Sequence, residues 1–152
     1  MTIIQATAAE ASTVGELLYA FNTEFDSTTP SAQEFTKRFR YLLERDDVVV
    51  LLADAADQPT GFALITYRPT PYCDGPLAQL EELYVQPALR GQGIGGRLLH
   101  EALERAVAAG CCEFHIGVDE IDTDARRFYE RHGFSNLEAD TDTRMLLYMC
   151  DL

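Results

Sequence analysis

The chain has 152 residues, enough for one domain (1–152) with a substantial core. Its residues are 47% hydrophobic and 24% charged, the balance of a soluble globule, and no apolar run reaches the length of a membrane span. Basic residues number 12 against 25 acidic ones, a net charge of −13, which argues against a nucleic-acid partner; it reads first as solubility and is also compatible with a cationic small molecule drawn in by the field.

In chain order, residues 2–6 read as a short strand. Val14, Leu17, Leu18, Phe21 and Phe25 recur at helical spacing and predict an amphipathic first helix. Ser31 and Glu34 have the spacing of a capping box, which starts a second helix with Phe35, Phe39, Leu42 and Leu43 as its buried stripe. Residues 48–52 are all apolar and read as a buried strand. Residues 57–61, Asp-Gln-Pro-Thr-Gly, have turn chemistry, and 62–67 alternate, predicting a hairpin. Residues 68–76 carry three prolines and form a loop. Residues 77–85 read as the next strand, and Pro87 stops it because proline has no amide for a ladder.

A glycine-rich turn follows, Arg90-Gly91-Gln92-Gly93-Ile94-Gly95-Gly96. From Ile94 a third helix is predicted, with Leu98, Leu99, Ala102, Leu103, Ala106 and Val107 on its apolar side and Gly110 as its stop. Residues 113–118 read as a strand parallel to 77–85, since a helix intervenes. Asp122 or Thr123 caps a short helix that runs to His132 and ends at Gly133. Residues 134–137 and 143–150 are expected to close the sheet as an antiparallel pair. The sum is about seven strands and four helices, a mixed α/β sandwich.

Strand, glycine turn and helix in succession suit a phosphate. Glycines take up positive φ, and the free amides of a first helical turn point at an anion that the helix dipole favours. Arg90 and Arg97 add positive charge to an otherwise negative chain. A P-loop is excluded, because no lysine follows these glycines. The dinucleotide pattern Gly-x-Gly-x-x-Gly is present at Gly91, Gly93 and Gly96, with Asp119 after the next strand. That fold wants the first glycine directly off the strand and a second βαβ half, for which too little chain remains.

The pattern Arg-x-x-Gly-x-Gly is met by Arg90, Gly93 and Gly95, after Leu80-Glu-Glu-Leu-Tyr-Val-x-Pro87. Downstream, Asp122-x-x-Ala125-x-x-Phe128-Tyr129-x-x-x-Gly133-Phe134 matches a second motif. Together they closely resemble the GNAT family of N-acetyltransferases, strongly over the second half of the chain and in layout over the first. The resemblance implies an acyl-CoA N-acyltransferase fold in which two parallel strands splay to admit pantetheine. It implies acetyl-CoA as co-substrate, its diphosphate on Arg90, Gly91, Gln92, Gly93, Ile94, Gly95 and Gly96, and its pantetheine arm on the backbone of Leu83, Tyr84 and Val85. Asp122 stands where the family commonly has Asn; it either accepts from pantetheine amides or simply caps the helix.

Moving an acetyl group from a thioester to an amine requires a neutral amine, donors for the oxyanion and a proton for the leaving thiolate. By resemblance Tyr129 is the general acid and Glu81 the base, Glu81 at the position of the base in polyamine acetyltransferases of the family. Glu82 is the other candidate; in an extended strand the two carboxylates face opposite ways, so only one is expected to face the substrate cleft. The acceptor is a primary amine on a polyamine, an aminosugar of the aminoglycoside type or a protein; Glu24, Asp26, Glu34, Tyr41, Tyr72, Asp119 and Glu120 could meet its charge. Direct transfer is expected, since Cys73, Cys111, Cys112 and Cys150 lie outside both motifs. Two other functions stay open: a non-catalytic CoA-binding regulatory module, and a nicotinamide-dependent oxidoreductase. The four cysteines lack metal spacing and are expected to be reduced thiols, the histidines are scattered, and no metal is expected. With no basic segment followed by an apolar stretch in residues 1–10, the cytoplasm is the expected compartment. No membrane partner is expected, and a homodimer is in keeping with the family.

Overall fold

The computed structural model describes residues 1–55 and 58–152. It divides into two compact units, Met1–Ile116 and Gly117–Leu152.

The first unit is a five-stranded sheet, β1 (Thr2–Gln5), β2 (Val48–Ala55), β3 (Gln58–Arg68), β4 (Leu77–Val85) and β5 (Phe114–Ile116), in the order in which they occur along the chain. The first three pairings are antiparallel, and β4 with β5 is parallel, as the intervening helix demanded. This mixed sheet is not the parallel doubly wound sheet that the dinucleotide pattern would need. Helices α1 (Ala11–Glu24) and α2 (Ala32–Leu42) pack on one face, α3 (Ile94–Ala108) against β2, β3 and β4.

The α1–α2 face buries Val14, Leu17 and Leu18 of α1 and Phe35 and Phe39 of α2 against Val50, Leu52, Phe62 and Tyr84 of the sheet. Alternate strand residues, Leu51, Ala53, Ala63 and Ile65, are buried as well and point to the other face. This two-sided burial is why β2 reads as a continuous apolar run. The Ser31–Glu34 capping box forms as expected: Glu34 Oε2 accepts from the Ser31 amide at 2.8 Å, and Ser31 Oγ from the Glu34 amide at 3.2 Å. A second box, Thr7 with Glu10, opens a 3-10 turn (Ala8–Glu10) before α1. Both carboxyls are held below the usual range, first by the backbone amide each accepts from.

Five expectations of the fold need correction, the first being Phe25, which lies past the end of α1 and is 60% exposed. Gln58–Gly61 belong to β3, not to a turn; Asp57 lies outside the described residues. Gly61 stands there because a Cβ would lie 2.4 Å from the Tyr84 carbonyl oxygen of the neighbouring strand, so glycine marks a close backbone approach. Val107 is 76% exposed, on the solvent side of α3. Cys73 and Cys112 are not free thiols: they form a disulfide that ties the β3–β4 loop to the turn after α3, while Cys111 and Cys150 remain free. Lastly, residues 134–137 and 143–150 form no strands.

That last segment lies in the second unit, which contains α4 (Thr123–Arg131) and a single antiparallel bridge, Leu137 to Arg144. Leu146, Leu147, Tyr148 and Met149 have strand composition but are all more than 60% exposed. A ladder needs a partner, and beyond Met145, whose amide donates to the Asn136 carbonyl at 2.6 Å, none continues it among the described residues. No helix among the described residues is long and apolar enough to cross a membrane.

Candidate active site

The glycine turn sits between β4 and α3, in the first unit. β4 ends at Val85, a 3-10 turn (Pro87–Leu89) carries the chain around, and α3 begins at Ile94. Gly91 and Gly93 have φ of 76° and 79°, a region that costs an L side chain about 1–2 kcal/mol. Gly93 is the N-cap of α3 and no side chain caps the helix there. The first-turn amides therefore lack the acceptor that Ser31 gives α2 and Thr7 gives the 3-10 turn. Gly95 and Gly96 lie within α3, so only the first two glycines supply the bend. The donor set is main-chain N–H at the positive end of a 15-residue helix, with the exposed Arg97 on its first turn. That chemistry fits a phosphate diester or diphosphate.

Arg90 stands at the root of this turn but is not an unattached cation. Its guanidinium forks onto the Glu24 carboxylate with two contacts of 2.7 Å, and its Nε donates to the Val85 carbonyl at 2.9 Å.

β4 pairs with β5 only as far as Leu80, opposite Ile116. Residues 81–85 run on past that pairing, so this edge of β4 carries no strand among the described residues of the unit. The stretch expected to receive the pantetheine arm, Leu83, Tyr84 and Val85, lies there. Tyr84 as a whole is only 3% exposed and its ring stacks on Phe21 at 5.1 Å, so its side chain is closed to a ligand.

Glu81 and Glu82 do not face opposite ways. The β3–β4 register shifts between Leu64 and Ile65: Leu64 is opposite Glu82 and Ile65 is opposite Leu80. Glu81 is thus the extra residue of a bulge, which turns two successive side chains toward one side. Glu82 shares the side of its partner Leu64, which packs on the α1–α2 core. Glu81 reaches Thr66, two residues along β3 from Leu64, and accepts its Oγ1 hydrogen at 2.5 Å. Burial lifts the Glu82 carboxyl above its ordinary value near 4.5, and the neighbouring Glu81 charge lifts it further.

In the second unit, α4 carries the other motif. Asp122 is the N-cap: its Oδ1 accepts from the Ala125 amide at 3.0 Å, the capping role foreseen as one of two. Tyr129 is buried at 9% exposure, its ring edge-on to Phe128 at 5.1 Å and to Phe134 at 5.6 Å. The Phe134 amide donates to the Tyr129 carbonyl at 3.1 Å across Gly133, closing the helix.

Four residues expected to greet a cation have partners instead: Glu24 holds Arg90, Glu34 caps α2, Tyr41 accepts from Arg45 at 3.4 Å and Glu120 accepts from Arg144 at 2.8 Å. Sequence reasoning also missed Thr66 as the partner of Glu81. No local signal marks it, because the two meet only through strand register. The Thr7–Glu10 box was legible as Thr-x-x-Glu.

Residues 14–134 match the model of the acetyltransferase (GNAT) family. An uncharacterised N-acetyltransferase of Archaeoglobus fulgidus is 34% identical over 92 residues, 60% of this chain, so the match spans 63% of that protein, less than two thirds of its length. An aminoglycoside N(6')-acetyltransferase type 1 of Stenotrophomonas maltophilia is 32% identical over 151 residues, covering 96% of this chain and 94% of that protein. The crystal structure of a proposed acetyltransferase from Arthrobacter sp. FB24 superposes with a TM-score of 0.93 at 43% identity, covering 100% of this chain and 96% of that one. Because the family model spans most of the chain, from α1 through the glycine turn to Phe134, the protein belongs to the GNAT acetyltransferase family.

Proposed function

We propose that the protein is a single-domain enzyme, residues 1–152, that moves the acetyl group of acetyl-CoA to a primary amine in one ternary complex. The observation that carries this reading is the uncapped start of α3 behind Gly91 and Gly93, set within a family match of residues 14–134. Acetyl-CoA, when bound, supplies the activated acyl group. The amides from Gly91 to Gly96 hold its diphosphate, with Arg90 at the root of the turn, and the open edge of β4 from Leu83 to Val85 receives the pantetheine arm. A main-chain N–H of that edge takes up negative charge at the thioester oxygen.

Proton traffic falls to side chains. A carboxylate of the Glu81–Glu82 pair removes a proton from the ammonium of the acceptor. Glu82 is the half-buried member of the pair, and burial raises its carboxyl above the ordinary value, the direction that suits a proton acceptor. The phenol of Tyr129 gives its Oη proton to the departing thiolate, and Asp122 orients α4 as its cap while its carboxylate can accept from pantetheine amides. The acceptor is a small polyamine or an aminosugar ahead of a protein amine. The full-length similarity to the Stenotrophomonas enzyme, named for aminoglycosides, and a net charge of −13 both support a cationic small molecule.

The test is calorimetric titration with acetyl-CoA and with NAD, followed by turnover with polyamines, aminoglycosides and peptide amines. Saturable binding of acetyl-CoA alone and steady CoA release with one amine class are expected. Binding of NAD, or CoA binding without turnover on any amine, would replace this reading by the oxidoreductase or the regulatory module.

A further inference from the structure

Arg90 is held on three sides. Nη1 and Nη2 donate to the two oxygens of Glu24, each at 2.7 Å, and Nε donates to the Val85 carbonyl at 2.9 Å. Its guanidinium carbon lies 5.8 Å from the centre of the Tyr84 ring, which in turn stacks on Phe21 of α1. A flat fork on a carboxylate, over an aromatic face, is a geometry arginine makes and lysine does not.

The location of Glu24 is informative. It is the last residue of α1, where the helix dipole is negative and a carboxylate is disfavoured. No basic residue of α1 lies in that last turn, so the compensating cation comes from 66 residues away. Arg90 is the residue that closes the 3-10 turn and leads into Gly91. The pair thus ties the end of α1 to the root of the glycine turn. Both side chains are partly exposed, 26% for Glu24 and 45% for Arg90. Exposed pairs contribute little to global stability, which leaves placement as the effect to look for.

We propose that Glu24 is a positioning residue for cofactor capture, acting through Arg90 to hold the start of the glycine turn in the shape that grips a diphosphate. The inference rests on the acetyl-CoA reading of that turn. It makes a prediction of sign. If Glu24 only offset the charge of Arg90, its neutralisation would leave a stronger positive field and bind an anionic cofactor more tightly. If it positions the turn, neutralisation weakens binding.

The experiment compares the parent with Glu24→Gln and Glu24→Asp. Coenzyme A is titrated by calorimetry, and turnover is measured with acetyl-CoA and with S-acetylpantetheine, which has the thioester but no diphosphate, using the amine found in the acceptor screen. For Glu24→Gln the Kd of coenzyme A is expected to rise about tenfold, the loss of one charge-assisted contact. Its kcat/KM for acetyl-CoA falls by a similar factor through KM, with kcat within about twofold. Its kcat/KM for S-acetylpantetheine stays at the parent's, and Glu24→Asp falls between. An equal loss with both acetyl donors, or tighter or unchanged binding of coenzyme A, overturns the positioning role. A parent that fails to bind coenzyme A at all would overturn the acetyl-CoA reading itself, and this inference with it.

Discussion

Thr66 Oγ1 donates to Glu81 Oε1 at 2.5 Å across the bulge that joins β3 and β4. This bond fixes one carboxylate of the pair and leaves its neighbour, Glu82, half-buried beside a held negative charge.

That arrangement sets the pH dependence of turnover. With Glu82 as the proton acceptor, Glu82→Gln lowers kcat/KM by about a hundredfold or more and removes the acid limb of its pH profile. Glu81→Gln takes away the second of the two causes that lift Glu82, so the limb moves to lower pH. A limb that disappears in Glu81→Gln and survives in Glu82→Gln would reverse the assignment.

The same group has a stability consequence. Its folded pKa is raised, so its favourable contribution is complete below the unfolded value near 4.5 and is lost as pH rises through the raised value. Glu82→Gln is therefore expected to be more stable than the parent to urea near neutral pH. The difference should vanish in acid below the ordinary glutamate range. A gap that is the same in acid and at neutrality would show that Glu82 is not desolvated.

For the acid, Tyr129→Phe keeps the ring that packs between Phe128 and Phe134 and removes only the hydroxyl. We expect kcat to fall at least about tenfold while coenzyme A binding by calorimetry stays at the parent's level. An unchanged kcat would leave Tyr129 as a packing residue.

Gly93 carries a φ of 79° at the N-cap of α3. Gly93→Ala leaves the space around it uncrowded, since an added Cβ meets nothing within 4 Å, but strains the backbone by about 1–2 kcal/mol. Coenzyme A affinity should drop roughly tenfold or more, with a smaller change in melting temperature. Equal affinity would mean that the left-handed bend does not shape the anion site.

Cys73 and Cys112 close a loop with a separation of 39 residues. Reduction, or Cys73→Ser, is expected to cost roughly 2–4 kcal/mol in denaturant unfolding. Alkylation of the unreduced, unfolded protein followed by mass measurement should label two thiols, Cys111 and Cys150. Four labels would refute the bridge.

Much of the layout was legible from residues close together in sequence. The strand at 77–85, the stop at Pro87, the helix start at Ile94 and the Ser31–Glu34 box all came out where spacing placed them, and the cap of α4 fell on Asp122, one of the two positions offered. Each is decided within about one helical turn or one strand, where propensity, capping and proline geometry act. The apolar tail at residues 145–149 shows the limit of that logic: its composition favours a strand, yet a ladder depends on a partner that composition does not name.

By itself, then, the sequence determined the order of elements as far as α4, the glycine turn at the start of α3, and the two motifs that resemble the acetyltransferases. Only the tertiary structure decided the companions of the reactive groups: Glu24 on Arg90, Thr66 on Glu81, Cys73 on Cys112, and the bulge that brings Glu81 and Glu82 to one side. Those relationships join residues far apart in the chain or depend on a one-residue shift in strand register. Local preference cannot encode them, because their energy exists only once the sheet and helices have packed.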